Sequence, residues 1–290
     1  MAALAAGGAT RTRFAPAPTG FLHLGHVASA LWVWGAARLA GAEVLIRIED
    51  HDRQRSRAAF ADALVEDLAW LGFVPDTGPV RQTDPDATAA YEAALEQLTA
   101  AGLVYRCACT RTTFGAWARE HGRTWSGVGC PAACRTRTLP GDAATSLRVT
   151  IGAGMERFDD LLHGPQVGDP AATGDLVVRD REANWTYGFA VVVDDLRQGI
   201  DLVVRGEDLL PETARQIRLA AFLDRPVPPR FLHHPLIRSA SGAKLSKTDG
   251  DSGVRDLRAT GRSAREVREL AAQLAGVPAE VAGAAVAPGS

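Results

Sequence analysis

The stretch R-T-R-F-A-P-A-P-T-G-F-L-H-L-G-H, residues 11–26, decides the expected fold. Arg11 to Ala15 is typical of a short strand, and the prolines and glycine that follow it favour a turn. From His26 to Leu39 apolar residues recur at helical spacing, and Gly41 ends the pattern. This part of the chain therefore predicts a strand, a loop and a helix in succession.

The alternation of strand and helix continues in the next segment. Glu43 to Glu49 predicts a second strand, and helices are expected from about Arg57 to Leu71 and from Ala87 to Ala101. Such an alternation indicates an α/β fold with a parallel sheet, in which ligands bind beyond the carboxyl ends of the strands.

Periodicity fades from Cys107 to about Pro170, which indicates an inserted module with short strands such as Ser146 to Ile151. Regular patterns return beyond the module. Thr186 to Val193 and Leu202 to Val204 are rich in β-forming residues, and Glu212 to Leu223 predicts a helix.

The tail of the chain, from about Val254, contains one predicted amphipathic helix, Ala264 to Leu274. The end that follows is rich in valine, alanine, proline and glycine, and we expect it to be frayed. No internal repeat is visible, so a solenoid architecture is not indicated.

Composition is that of an ordinary globular protein. Of the 290 residues, 46% are hydrophobic and 23% are charged. No apolar run approaches the ~18 residues of a membrane span, and the first ten residues lack a basic region before an apolar core. We therefore expect a cytoplasmic protein without a membrane segment. The net charge of -2 gives no support for a nucleic-acid partner, although it does not exclude a local basic patch.

Two histidines, His23 and His26, flank Gly25 at the predicted helix start. In one interpretation, one histidine packs under the loop and the other caps the helix. In the other, backbone N–H groups and the helix dipole attract a phosphate, and the imidazoles donate hydrogen bonds to its oxygens. Gly25 would let such a ligand approach the backbone closely.

The lysines are confined to one segment. Of the 32 basic residues only Lys244 and Lys247 are lysines, and both lie in K-L-S-K-T, residues 244–248. The flanking Gly and Ser residues predict a mobile loop, for which a solvated surface turn is the plain alternative. Retaining lysine there indicates a need for compact point charges.

H-L-G-H and K-L-S-K-T resemble the HIGH and KMSKS signatures of class I aminoacyl-tRNA synthetases. Four further stretches resemble the glutamyl-tRNA synthetase group: R-F-A-P-A-P-T-G, R-I-E-D-H-D-R-Q-R-S, A-V-V-V-D-D and R-G-E-D-L-L. The resemblance runs from about Arg13 to Lys247, and only a short tail follows where full glutamyl-tRNA synthetases continue with helical anticodon-reading domains. Together with a cysteine cluster, this is similar to the glutamyl-Q tRNA(Asp) synthetase family.

The resemblance implies a domain organisation. A Rossmann-type catalytic domain with a parallel sheet would comprise residues 1–104 and 176–250. An inserted zinc-containing module would occupy residues 105–175, and a short helical remnant would occupy residues 251–290.

The resemblance also implies an activity. In that family L-glutamate is activated with ATP and Mg²⁺, without tRNA for this step, and is then joined to the queuosine base at the wobble position of tRNA(Asp). The anticodon stem-loop of that tRNA would enter the catalytic site, and the enzyme would be a monomer. Two alternatives stay open: a glutamyl-tRNA synthetase-like enzyme that charges a tRNA 3′ end, and a non-catalytic RNA-binding paralogue.

The resemblance assigns site residues in three groups. The catalytic residues would be His23, His26 and Lys247, and Gly25, Lys244 and Ser246 would complete the ATP site. For glutamate, Arg13 and Arg205 would bind the two carboxylates, Glu49 the ammonium group, and Tyr187 would line the side-chain pocket. The first loop would contribute Phe14, Ala15, Pro16 and Ala17.

Three finer expectations follow from the same resemblance. Arg205 is the residue associated with preference for glutamate over glutamine. Ala17 stands where the family's A-P-S-P loop has serine, so one hydroxyl near the amino acid is absent and weaker or altered glutamate binding is expected. The aspartates at positions 50, 194 and 195 are expected to be structural or capping residues.

The four cysteines form two close pairs, Cys107 with Cys109 and Cys130 with Cys134. A cytoplasmic location disfavours disulfides, and buried structural cysteines are one interpretation. Two close pairs across a loop also suit a tetrahedral Zn²⁺ site of four thiolates. In the resembling family the third ligand is often tyrosine where this chain has Cys130, a change that favours a soft metal. The zinc would stabilise a knuckle that contacts the RNA acceptor.

Overall fold

The computed structural model describes residues 8–122, 134–136, 139–140, 144–237 and 253–286. Its first half confirms the predicted alternation of strand and helix. The elements are β1 (Arg11–Phe14), α1 (Leu24–Ala40), β2 (Glu43–Ile48), α2 (Ala58–Trp70), β3 (Thr77–Arg81) and α3 (Pro85–Ala100). β2 pairs in parallel with β1 on one side and with β3 on the other. The three strands therefore present their carboxyl ends at one edge.

The region predicted as an inserted module contains two different pairings. It comprises β4 (Val104–Cys107), α4 (Arg111–Glu120), β5 (Ser146–Val149), β6 (Glu156–Asp160), β7 (Gly164–Gly168) and, just beyond it, β8 (Leu176–Arg179). β4, β5 and β8 form a separate antiparallel sheet. The hairpin β6–β7 instead joins a sheet with later strands, because β6 pairs in parallel with β10 (Arg230–His234). The predicted boundaries of the module stay a prediction.

The second half contributes α5 (Tyr187–Arg197), β9 (Leu202–Gly206), a 3₁₀ turn (Glu207–Glu212) and α6 (Thr213–Phe222) before β10. The prediction of a strand at Leu202–Val204 is confirmed. The prediction that Thr186–Val193 is β-rich is wrong, because these residues enter α5. The run Phe189–Val193 is buried throughout the helix, and a short apolar run buried on all sides does not reveal its period.

The two parallel sheets meet along β1 and β9. The Asp201 backbone N–H donates to the Arg11 carbonyl over 3.1 Å, and the Arg13 guanidinium donates to the Val204 carbonyl over 3.3 Å. From the first contact to the second, the residue number rises along both strands, so β9 runs parallel to β1. The sheets β3–β2–β1 and β9–β10–β6–β7 therefore lie side by side with β1 next to β9, and the chain reverses its direction of strand addition beside β1. In open α/β sheets such a reversal creates a ligand-binding crevice at the carboxyl edge.

The tail contains α7 (Val254–Ala259), α8 (Ala264–Ala275) and α9 (Ala279–Ala284); α8 and α9 pack against α1, and α7 packs against α8. The predicted helix at Ala264 is confirmed, whereas the expectation of a frayed end is wrong for α9. Val281 is fully buried, and a Cβ on Gly35 of α1 would lie 2.3 Å from its carbonyl oxygen. The missing side chain lets the helices touch, and burial of Val281 contributes on the order of 1.5–3 kcal/mol. Residues 287–290 lie outside the described structure.

Across the described ranges, we find no helix with the length and apolar character that crossing a bilayer requires.

Candidate active site

A cavity of about 450 Å³ opens at the carboxyl edge where β1, β2, β9 and β10 end. Every predicted binding residue that the structure describes lines it: Arg13, Phe14, Ala15, Pro16, Ala17, His23, Gly25, His26, Glu49, Tyr187 and Arg205. Lys244, Ser246 and Lys247 lie outside the described residues. The structure brings the others together, and the individual roles assigned to them stay predictions.

Several lining residues had no role in the sequence prediction. They follow β9 and β10 or lie on the first turns of α1, and they include Ser29, Asp208, His234 and Leu236. His234 Nε2 lies 3.1 Å from Ser29 Oγ, which ties the end of β10 to α1. Position directly after a strand of a parallel sheet is the signal that could have indicated them.

The two histidines cap α1 reciprocally. His23 is the N-cap residue and its Nδ1 accepts the Gly25 backbone N–H over 3.1 Å, while His26 Nδ1 accepts the His23 backbone N–H over 3.2 Å. Both Nδ1 atoms are acceptors, so each neutral ring carries its proton on Nε2. Capping, expected of at most one histidine, is therefore performed by both. The capping also fixes the tautomer of each ring, in which Nε2 carries the hydrogen and can donate a hydrogen bond.

Gly25 keeps the His23 ring in place. A Cβ on Gly25 would lie 2.9 Å from His23 Cε1 and 3.0 Å from His23 Nδ1. Contacts this short are not tolerated, so any side chain at position 25 would displace the imidazole that caps the helix. Glycine is therefore required here by the His23 cap, while the approach of a ligand to this backbone stays a prediction.

The segment that carries the lysines is anchored beside the cavity at both ends. Ile237, the last described residue before it, lines the cavity. Gly253, the first described residue after it, forms a β-bridge with His23, and the Val254 N–H donates to the Leu22 carbonyl over 2.9 Å. The chain thus leaves and re-enters the described structure next to the two histidines.

Arg205 is buried without a carboxylate partner among the described residues. Its guanidinium donates to His233 Nε2 (2.9 Å), Gln216 Oε1 (2.6 Å) and Thr213 Oγ1 (2.8 Å), all of which are neutral acceptors. Burial lowers the pKa of Arg205, and burial likewise raises the pKa of the neighbouring Tyr187. An arginine remains charged at neutral pH even so. A buried guanidinium that lines a cavity, and that forms no ion pair with a described carboxylate, can receive an anion from a ligand.

Arg13, on the other wall, belongs to a buried ionic network. Asp195 Oδ1 accepts from Arg13 Nε over 2.9 Å and from Arg47 NH1 over 2.8 Å, and Arg47 NH2 lies 3.2 Å from Glu49. Burial would lower the pKa of Arg47, but Asp195, Glu49 and Asp194 outweigh it and raise that pKa. Within the described chain, Arg13 NH2 has no hydrogen-bond acceptor. The network therefore leaves one nitrogen of this cavity-lining guanidinium without an acceptor among the described residues.

The sequence prediction missed Arg47 and understated Asp195, which was expected to be structural only. Asp195 is indeed a structural anchor, but what it anchors is a cavity residue. Asp194 fits the expectation more simply, since it accepts hydrogen bonds from Gln82 (2.7 Å) and Tyr91 (2.9 Å) away from the cavity lining. The partners lie far apart in sequence, so no local pattern signals these contacts.

Three of the four cysteines form a buried cluster. The sulfur atoms of Cys107, Cys109 and Cys134 lie within 4.8 Å of one another, with Cys107 and Cys134 3.6 Å apart. Zn–S bonds of about 2.3 Å in a tetrahedron place sulfurs roughly 3.8 Å apart. The Cys107–Cys134 distance is close to this value, whereas Cys109 and Cys134, 3.0 Å apart, would separate slightly for the three thiols to hold a zinc ion. Burial raises the pKa of the Cys109 thiol to about 12, and Cys134 acts in the same direction. Cys130 lies outside the described residues.

Residues 9–272 match the protein family described as tRNA synthetases class I (E and Q), catalytic domain. This match agrees with the structure. A crevice lies between the two sheets that meet at β1 and β9, and a histidine-capped helix begins at its mouth. The chain is thus a ligase of the class I tRNA synthetase type, and enzymes of this class use ATP and Mg²⁺.

Two curated relatives narrow the family. The chain is 44% identical over 248 residues to a glutamyl-Q tRNA(Asp) synthetase of Burkholderia cenocepacia, a match that covers 84% of this chain and 82% of that protein. It is 41% identical over 281 residues to a glutamyl-Q tRNA(Asp) synthetase of Symbiobacterium thermophilum, covering 91% and 86%. The chain belongs to the glutamyl-Q tRNA(Asp) synthetase family.

A solved structure supports the same placement. The chain resembles a glutamate tRNA ligase from Elizabethkingia meningosepticum, crystallised in complex with its amino acid, with a TM-score of 0.70 and 28% identity. The match covers 87% of this chain and 53% of that ligase, so the chain spans about half the ligase's length. The function is therefore of the glutamyl-tRNA ligase type.

Proposed function

We propose that the protein activates L-glutamate with ATP and transfers it to the queuosine base at the wobble position of tRNA(Asp). The observation that carries the first half is the buried guanidinium of Arg205, which has no carboxylate partner in the described part of the chain and lines a cavity together with Arg13 and Glu49. Two cations and one anion match the two carboxylates and the ammonium group of glutamate.

Glutamate would bind with its side-chain carboxylate on Arg205 and its α-carboxylate beside Arg13. Each guanidinium can grip a carboxylate through charge-assisted hydrogen bonds. Glu49 is 5% exposed, and burial raises its pKa although Arg47 and Arg13 act in the opposite direction. As a carboxylate on the cavity wall it would accept the substrate's ammonium group, which compensates the cost of its burial. Tyr187 would close the side-chain pocket.

Activation would join the α-carboxylate to the α-phosphorus of ATP. A carboxylate oxygen attacks in line, a new P–O bond forms, and the bond to the departing pyrophosphate breaks. His23 and His26 would donate their Nε2–H groups to phosphate oxygens as charge develops. Lys247, with Lys244 and Ser246, would contact the leaving group from a segment that begins and ends beside the cavity. Mg²⁺, when bound, neutralises charge on the triphosphate.

Transfer would place an RNA hydroxyl against the activated glutamate. A hydroxyl of the queuosine cyclopentenediol attacks the acyl carbon, an ester forms, AMP departs and the hydroxyl proton is lost. The names of the curated relatives support this acceptor. Arg53 and Arg55 follow β2, are exposed and form no ion pair with described residues, and they would contact the phosphates of an anticodon stem-loop. Phosphate contacts of this kind position RNA without specifying its sequence.

Two further assignments belong to the proposal. Zn²⁺ would be held by Cys107, Cys109 and Cys134, with Cys130 as the fourth thiolate, and would stabilise the module structurally. The protein would act as a monomer. The expectation that Ala17 weakens glutamate binding also remains a prediction, since a backbone group could replace the missing hydroxyl.

The test is to identify the labelled nucleoside. The protein is incubated with ATP, labelled glutamate and tRNA(Asp) that contains or lacks queuosine, and the product is digested with nuclease and weighed by mass spectrometry. We expect glutamyl-queuosine from the first tRNA and no label on the second. Glutamate attached to the terminal adenosine would instead establish 3′-end charging. If the protein shows no glutamate-dependent ATP–pyrophosphate exchange, it does not activate glutamate, and the proposed function is excluded.

A further inference from the structure

Arg205 is bonded directly to a buried histidine that no part of the proposed reaction uses. Arg205 and His233 are opposite each other in the parallel pair β9–β10, and Arg205 Nε donates to His233 Nε2 over 2.9 Å. An arginine Nε always carries hydrogen, so His233 Nε2 must be the acceptor. His233 therefore carries its proton on Nδ1.

Asp160 fixes that tautomer. Its Oδ2 accepts from His233 Nδ1 over 2.7 Å and from the His233 backbone N–H over 3.0 Å. Its Oδ1 accepts the backbone N–H groups of Leu162 and His163, both over 2.9 Å. The side chains of Asp160 and His233 are fully buried. The carboxylate is thereby committed to four donors and cannot turn toward another partner.

The charges around His233 agree with a neutral ring. Burial lowers the pKa of His233, the hydrogen bond to Asp160 opposes this, and the nearby Arg205 cation adds to the lowering. His163 faces the same strand, with Nε2 3.0 Å from the His233 carbonyl. A neutral imidazole between Asp160 and Arg205 keeps the carboxylate from pairing with the guanidinium. His233 holds Arg205 at Nε, while Gln216 and Thr213 accept from its NH1 and NH2. All of these acceptors are neutral, so the charge of the guanidinium remains available to a ligand.

We infer that Asp160 and His233 are positioning residues that aim the Arg205 guanidinium at the cavity without neutralising it, and so set the preference for glutamate over glutamine. This inference rests on the proposed binding of the glutamate side chain by Arg205. An uncompensated guanidinium attracts a carboxylate far more strongly than a neutral amide. Asp160 belongs to the β6–β7 hairpin, so that hairpin contributes to the site through β10.

The test compares two amide substitutions at position 233. His233→Gln places a carbonyl oxygen near the former Nε2 and keeps an acceptor for Arg205, whereas His233→Asn is too short to reach it. The readout is ATP–pyrophosphate exchange with glutamate and with glutamine, each as KM and kcat. For His233→Asn we expect the KM for glutamate to rise about tenfold or more, with kcat and the KM for ATP within about threefold of wild type. The ratio of kcat/KM for glutamate over glutamine should fall by a similar factor, and His233→Gln should restore most of it.

A second variant keeps the inference testable if His233→Asn does not fold. Asp160→Asn retains the oxygen that faces Leu162 and His163 but presents an amide N–H to His233, which moves the ring proton to Nε2 and against Arg205. Its glutamate KM and selectivity should change in the same direction. Unchanged selectivity in a folded variant at either position, or loss of kcat and of ATP affinity with selectivity retained, would overturn the inference. Wild-type protein that lacks glutamate-dependent exchange would instead count against the proposed function.

Discussion

The Asp195 carboxylate lies 2.9 Å from Arg13 Nε, inside a pair whose side chains are 11% and 4% exposed. One oxygen of Asp195 also accepts from Arg47, and burial of Asp195 is outweighed by these two cations, so its pKa is lowered. A residue on α5 thereby fixes the direction of a cavity arginine on β1. The amino-acid site is assembled by the junction of the two half-sheets.

Removing this charge should damage both stability and glutamate binding. Asp195→Ala removes the carboxylate that pairs with buried Arg13 and one of the three carboxylates around buried Arg47. Losing one partner of a buried pair costs about 3–5 kcal/mol. Urea unfolding should show a loss of this size, and any folded fraction should have a raised KM for glutamate. Glu43→Ala is the matched control, because its pair with Arg11 is exposed and worth at most about 1 kcal/mol. Equal effects of the two substitutions would contradict the buried-network account.

Gly25→Ala should impair activation through the His23 ring. The new Cβ meets His23 Cε1 at 2.9 Å, which displaces the cap and its Nε2–H. We expect kcat for ATP–pyrophosphate exchange to fall by about tenfold or more, the scale associated with loss of an oriented donor. Gly283→Ala on α9 is the control, since a Cβ there meets nothing within 4 Å and should leave exchange unchanged. Full activity in Gly25→Ala would remove the histidine turn from the mechanism.

Glutamate binding should weaken in acid because of Glu49. Burial raises the pKa of this carboxyl, so it is protonated, and loses its charge, at a higher pH than an exposed glutamate with a pKa of about 4.3. The ammonium group of the substrate needs the ionised form. The KM for glutamate should therefore rise as the pH falls, beginning above the pH at which free glutamate side chains titrate. Glu49→Gln should have a high KM that stays flat over that range, and an identical pH profile in the two proteins would rule out this role.

The cysteine cluster should bind one zinc ion per chain. Elemental analysis of protein purified without chelators measures the content, and Cys134→Ser should lose most of the metal. Since a structural zinc contributes folding free energy, the variant and the chelated wild type should both unfold at lower temperature. Wild-type protein that contains no zinc, and whose unfolding temperature does not respond to zinc or chelator, would favour plain buried thiols.

Local patterns predicted the βα alternation of the first half and indicated the histidine turn, whereas the other predicted residues around the cavity came from the resemblance to known motifs. Turns, caps and strand ends such as those at His23 and Glu49 are properties of neighbouring residues, and the resemblance to known motifs placed Arg13 and Arg205. The valine run of α5 was misassigned because full burial hides periodicity. The Val281 contact with Gly35 joins positions far apart in the chain, so composition alone indicated a frayed end.

Local patterns did not predict the residues that support the site, because these residues and their partners lie far apart in the chain. Asp195 lies 182 positions from Arg13, and Asp160 lies 73 positions from His233. Whether such a carboxylate pairs with a cavity residue depends on which strands become neighbours. That information belongs to the order of strands in the sheets, which the sequence pattern did not specify.

The most direct measurement of the central claim is tRNA-free ATP–pyrophosphate exchange by wild type and by Arg205→Gln, with glutamate and glutamine compared. We predict that wild type exchanges pyrophosphate with glutamate and strongly prefers it to glutamine. In Arg205→Gln the kcat/KM for glutamate should fall by about 100-fold or more, as expected for loss of a buried charge-assisted pair, with the KM for ATP preserved. An Arg205→Gln protein that keeps the wild-type preference for glutamate would contradict the account.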